Sequence, residues 1–163
     1  MTEFIQATND SQIKEIADMA EIIWNEHFVP IIGQEQVDYM VEKFQSFPAL
    51  KSQIEDGYEY YQIVYESKMA GYTGIHEEDG RLFLSKLYIH PDFRGKHLAT
   101  EGFEFLVALA KERKLSDIWL TCNRYNKNTL SIYDHFGFVV IDEQKNDIGN
   151  GFFMDDYIMS YKL

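Results

Sequence analysis

Apolar side chains recur at helical spacing through the first part of the chain. Ile13, Ile16, Ala17, Ala20, Ile23 and Trp24 share one helical face, and Val37, Met40, Val41 and Phe44 repeat the spacing in a second helix. A short strand, Glu3 to Ala7, precedes them, and Asn9 with Gln12 has the spacing of a capping box at the start of the first helix. Pro48 is expected to close the second helix, and Gly57 to stop a third short helical turn. From Tyr58 the period falls to two. Tyr60 to Glu66, Met69 to His76 and Leu82 to Ile89 read as an antiparallel meander, punctuated by Ser67-Lys68 and Glu78-Asp79-Gly80.

Helical spacing returns at Phe103, Leu106, Val107 and Ala110. That helix begins near Leu98 and ends on Lys111-Glu112-Arg113-Lys114, where the helix dipole favours bases. A buried strand, Ile118 to Cys122, follows. Its link to the Leu82 strand runs through a helix, so the two are expected as parallel neighbours with a right-handed crossover. A short helix from Thr129 to Phe136 stops at Gly137, and strands at Phe138 to Ile141 and Tyr157 to Lys162 end the pattern. Asn146 to Gly151 reads as a mobile loop.

The 163 residues suit a single domain with a substantial core, without repeats or linkers. No apolar run is long enough to span a bilayer, and the N-terminus lacks the pattern of a secretory signal, so a cytoplasmic location is expected. The lone Cys122 has no internal disulfide partner, in keeping with a reducing compartment. Fifteen basic against twenty-seven acidic side chains give a net charge of −12, a field that repels nucleic acid and anionic membrane, so neither is expected as a partner. The five histidines show no two-histidine helical spacing and no cysteine pairing, so no metal is expected.

Chemistry concentrates between Leu82 and Ala110. An apolar strand breaks at His90-Pro91-Asp92-Phe93 and gives way to Arg94-Gly95-Lys96-His97-Leu98-Ala99, which opens a long helix. Such a turn gathers unpaired backbone N–H groups and the positive end of a helix dipole, a setting for phosphate. A structural loop is the plain alternative.

Taken together, the strand, this loop, the helix, the Ile118 strand, Asn126, Tyr133 and Gly137-Phe138 resemble the GNAT superfamily of acetyl-CoA-dependent N-acetyltransferases. The match in order and spacing covers about Leu82 to Phe138. Arg94 and Ala99 fit the family's loop pattern, whereas His97 replaces its middle glycine and Gly95 falls at a variable position. The resemblance implies an α/β fold: a central mixed, mostly antiparallel sheet of roughly six or seven strands, a splayed parallel pair, and about four flanking helices. It implies acetyl-CoA as co-substrate, its pyrophosphate held by the N–H groups of Arg94, Gly95, Lys96, His97, Leu98 and Ala99. Backbone groups of Leu87, Tyr88 and Ile89 would bind the pantetheine arm and stabilise the oxyanion, with Asn126 bonded to the same arm or serving only as a helix cap.

By the same resemblance Tyr133 protonates the departing thiolate, although a tyrosine on a short helix is more commonly a core residue. The implied reaction is direct attack of a primary amine, of a small molecule or a peptide, through a tetrahedral intermediate. Some family members place a glutamate on the strand before the loop. Here Phe83, Ser85, Leu87 and Ile89 are expected on one face and Leu84, Lys86 and Tyr88 on the other, with no carboxylate on either. The base is then a water chain or one of Glu26, His27, His76 and Glu77. Trp24, Glu26, His27, Phe28, Tyr39 and His76 are the acceptor-side candidates, with Glu35 and Asp38 beside them to favour a cationic amine, while Trp24 and Phe28, one helical turn apart, also read as ordinary core residues. An exposed terminal strand would support a homodimer. The alternative function is a non-catalytic acyl-CoA sensor, favoured by His97 and by the missing strand carboxylate.

Overall fold

The computed structural model describes all 163 residues. In chain order the elements are β1 (Thr2–Gln6), α1 (Asp10–Ile32), α2 (Gln34–Met40), a π-helical turn (Val41–Gln45), α3 (Phe47–Glu55), β2 (Glu59–Tyr65), β3 (Lys68–Glu78), β4 (Arg81–Ile89), α4 (Leu98–Glu112), β5 (Asp117–Asn123), α5 (Lys127–Phe136), β6 (Val139–Gly149) and β7 (Phe152–Lys162). One seven-stranded sheet runs β1-β2-β3-β4-β5-β7-β6, and only β4 and β5 are parallel. The mixed α/β architecture expected from the sequence is therefore present, with five α-helices.

The capping box at α1 is formed: Gln12 N–H donates to Asn9 Oδ1 at 2.9 Å and Asn9 N–H to Gln12 Oε1 at 3.3 Å. Helices α1 to α3 bury Ile16, Ile23, Val37 and Leu50 against Tyr60 and Tyr72 in one apolar cluster. Phe103 and Leu106 of α4 and Tyr133 of α5 pack with Leu82, Leu84 and Ile118 in another. Neighbours Tyr60 and Tyr61 of β2 go to different clusters, which puts the clusters on opposite faces of the sheet.

Five expectations change. Pro48 does not close the second helix: α2 ends in the π-helical turn, and Pro48 sits in the first turn of α3, where its missing N–H costs nothing. The third helical turn is the full helix α3. Asn146 to Gly151 is the tip of the β6–β7 hairpin, with Asn146 opposite Met154 and Gly149 opposite Phe152. Tyr39 Oη and Lys43 Nζ donate to the Ile148 carbonyl at 2.7 and 2.8 Å and tie that tip to α2 and the π-helical turn. A Cβ on Gly149 would lie 2.6 Å from the Tyr39 hydroxyl, so glycine is required there. The terminal strand β7 pairs on both sides, because the hairpin folds β6 outside it; the free edges are β1 and β6.

The fifth change concerns β4. Gly74 pairs with Lys86 but Ile75 with Leu84, so Ser85 is an extra residue in a bulge. Leu82, Leu84 and Leu87 pack in the α4 cluster, whereas Tyr88 packs in the α1 cluster and Lys86 reaches Phe44 and Gln53. The bulge exchanges the faces that strict alternation assigns. Strands β4 and β5 pair only through Leu82 opposite Ile118 and Phe83 opposite Trp119. Beyond them the sheet opens.

Candidate active site

The opening between β4 and β5 continues into a cleft of about 850 Å³, walled by β4, the loop after it, α4 and α5. Its outer end is the α4 N-terminus. Gly95 takes φ +80° and His97 the left-handed φ of 61°, a conformation that costs a residue with a Cβ about 1–2 kcal/mol and explains why glycine suits that position. No side chain caps α4, and its first backbone bond is from Glu101 N–H to the His97 carbonyl at 3.0 Å. The N–H groups of Leu98, Ala99 and Thr100 therefore lack helical acceptors, and all three residues line the cleft. An anion of pyrophosphate size fits there by charge and donor geometry. Arg94 stands beside it. Its guanidinium donates to both Glu26 carboxylate oxygens at 3.0 and 2.9 Å and to the Ile89 carbonyl at 3.2 Å, and it holds the Glu26 carboxyl below the usual range.

At the inner end the cleft meets a second cavity of about 380 Å³. Leu87, Tyr88, Thr129 and Tyr133 line both. Tyr133 is buried against Phe138, ring centroids 5.4 Å apart, and burial raises its phenol well above the ordinary value, so it is a held proton. The second cavity has walls of Trp24, Met40, Phe44, Tyr58 and Met154, and only two charged side chains, Lys86 and Asp156. Lys86 is 7% exposed and donates to the Phe44 carbonyl, Gln53 Oε1 and Tyr60 Oη, all neutral; burial pushes it down to about 7. Asp156 is 4% exposed with no hydrogen-bond partner for Oδ1, and burial, then the neighbouring Asp155, pushes its carboxyl up to about 6. The buried Cys122 thiol is pushed up to about 12, chiefly by burial, and is no nucleophile at neutral pH.

A profile of the Acetyltransferase (GNAT) family matches residues 16–138, most of the chain and the whole of this cleft's framework. The protein belongs to the GNAT family. It is 29% identical over 92 residues to the uncharacterized N-acetyltransferase YjgM of Escherichia coli K12, spanning 54% of this chain and 55% of that protein, about half its length. Among solved structures, the PaiA N-acetyltransferase of Thermoplasma acidophilum in complex with coenzyme A superposes with a TM-score of 0.82 at 18% identity, covering 100% of this chain and 99% of that one. The ribosomal-protein-S18-alanine N-acetyltransferase of Escherichia coli gives 0.75 at 15% identity, covering 99% and 94%. At these identities the likeness is one of fold.

On this GNAT framework the residues named from the sequence separate into groups. Leu87, Tyr88, Ile89, Arg94, Gly95, His97, Leu98, Ala99 and Tyr133 surround the large cleft. Lys96 turns its ammonium toward Tyr65, 5.8 Å from the ring centroid. Asn126 occupies the N-cap position of α5 without capping it; its Oδ1 lies 3.2 Å from His27 Nε2, on the wall shared by α1 and α5. Of the acceptor-side residues, Trp24 lines the second cavity and His27 the first, while Phe28 stacks under Trp24 at 4.2 Å. Glu26 pairs with Arg94, and Tyr39 holds the β6–β7 hairpin. His76 stacks on Tyr58 and, like Glu77, lines neither cavity.

Asp156 and Lys86 also line the second cavity, and neither is among the residues expected from the sequence. A lysine inside an apolar strand was a visible signal for Lys86. Asp156 lay one residue before the start assigned to the last strand.

Proposed function

We propose that the protein transfers an acetyl group from acetyl-CoA to the primary amine of a small molecule or peptide. The observation that carries this reading is continuity: a helix N-terminus with three free N–H donors, an open β4 edge and a buried tyrosine follow one another along a single cleft. Tyr133 stands where that cleft meets the second cavity. Bound acetyl-CoA supplies an activated acetyl thioester. The N–H groups of Leu98, Ala99 and Thr100, with Arg94, hold its pyrophosphate; backbone groups of Leu87 to Ile89, which have no ladder partner on β5, hold the pantetheine arm and donate to the developing oxyanion. Asn126 bonds to the same arm. Tyr133 gives its phenol proton to the departing sulfur, a role suited to a group that stays protonated at working pH.

Thermal unfolding with acetyl-CoA, against NADH and ATP as controls, tests the cofactor assignment. Saturation at a hundred times Kd adds about 2.7 kcal/mol of stability and raises the midpoint, with no rise for the controls. Thiol release over an amine panel then tests transfer. Binding without release on any amine would leave the sensor reading in its place.

A further inference from the structure

The second cavity holds one carboxylate, and no cation pairs with it. Asp156 lies on β7 opposite Asn123 of β5 and Gln144 of β6, both neutral. The titratable groups around it are Cys122 from β5, Tyr88 and Lys86 from β4, Tyr133 from α5 and its neighbour Asp155; Arg124 is engaged by Asp155 at 2.7 Å and by Glu143 at 3.1 Å. A carboxylate buried with an orphan oxygen and no paired cation carries a large desolvation cost unless a ligand brings the cation. The remaining walls are aromatic, aliphatic or neutral-polar. The one cation on these walls, Lys86, gives its donors to three neutral oxygens and leaves Asp156 Oδ1 unpartnered.

We infer that this cavity is the acceptor site for a primary monoamine with a compact apolar body, and that Asp156 anchors its ammonium and takes its proton. The inference rests on the acetyltransferase reading and names its substrate class and its base. Two protons leave the nitrogen on the way from ammonium to amide. Asp156 takes the first and passes it to solvent, freeing the nitrogen lone pair. The nitrogen bonds to the acetyl carbon and loses its second proton to Asp156. The carbon–sulfur bond then breaks, its electron pair leaves on sulfur, and Tyr133 protonates that sulfur. Asp156 returns its proton to the phenol through solvent, so one proton has gone to solvent and one to the thiol. A polyamine is disfavoured, since the cavity has a single anionic group and places Lys86 against any second cation.

The test compares the wild-type protein with Asp156→Asn, an isosteric change. Calorimetry on protein saturated with coenzyme A should show phenethylamine or hexylamine binding the wild type, with at least tenfold weaker binding to the variant, while acetyl-CoA binds both equally. By thiol release, kcat/KM for those amines should exceed that for spermidine and for a peptide N-terminus, and should fall at least a hundred-fold in Asp156→Asn. The wild-type pH profile should rise with a midpoint near 6, and that limb should vanish in the variant. Undiminished turnover in Asp156→Asn, a persistent limb near 6, or a preference for spermidine overturns this inference alone. A wild-type protein that does not bind acetyl-CoA overturns the acetyltransferase reading and this inference with it.

Discussion

The β4–β5 pair has two ends, and they treat charge in opposite ways. At the closed end Arg81 donates to both oxygens of Asp117 at 2.8 Å, Ser160 and Ser116 add donors at 2.7 and 3.0 Å, and the Arg81 guanidinium covers Trp119 at 5.2 Å from the ring. This pairing, Arg81 first, drives the Asp117 carboxyl down to about 2, far from any working pH. At the open end Lys86 and Asp156 are as deeply buried but lack a partner of opposite charge, and desolvation drives them toward neutrality, to about 7 and 6. A buried charge that is paired fixes structure. One left unpaired beside a cavity keeps a proton that can move in the working range, and stability is forgone to hold it there.

Exchanging the two carboxylates for amides breaks the comparison most visibly. Asp156→Asn is expected to lower kcat/KM at least a hundred-fold, about 3 kcal/mol of barrier, while stability to urea at pH 8 is unchanged or higher. The sign follows from a folded-state pKa raised above the unfolded value: ionising Asp156 costs the fold at pH 8, and the amide removes that cost. Tyr133→Phe is expected to lower kcat by roughly ten- to a thousand-fold with acetyl-CoA affinity by calorimetry unchanged, which places its effect on the leaving group.

Asp117→Asn should do the reverse of Asp156→Asn, costing about 2 kcal/mol in urea unfolding at pH 7 while activity per folded molecule persists. The folded pKa of Asp117 is depressed, so its contribution is present above about pH 4 and lost as pH falls through about 2. The smallest effect belongs to the loop. His97→Gly relieves a left-handed residue against the greater chain entropy of glycine, for a net gain of roughly 0.5 kcal/mol in the same assay.

How far the chain could be read depended on what each residue faced. Helices α1 and α4 each bury one side and strands β2 to β5 are short apolar segments buried between the two clusters and bounded by turn residues, so periodicity and punctuation marked them, and the helix between β4 and β5 implied their parallel pairing. Strand β6 is an edge strand whose Asp142-Glu143-Gln144-Lys145 segment is mostly exposed, which leaves no alternation to read and made its hairpin tip look like a loop. The bulge at Ser85 carries no glycine or proline to announce it, so the exchange of faces that brings Lys86 beside Tyr60 was invisible. The loop after β4 and Tyr133 were legible through motif order. The isolation of Asp156 was not, because a missing partner is a property of the folded neighbourhood.

The contrast between the two ends is read most directly by a pH titration of the aspartate side-chain carboxyl carbons by NMR, following Asp117 and Asp156 in one sample. Midpoints near 2 for Asp117 and near 6 for Asp156 are expected. Both carboxyls titrating near the ordinary value of about 4 would contradict that contrast, since the open end would then hold no unpaired, desolvated charge.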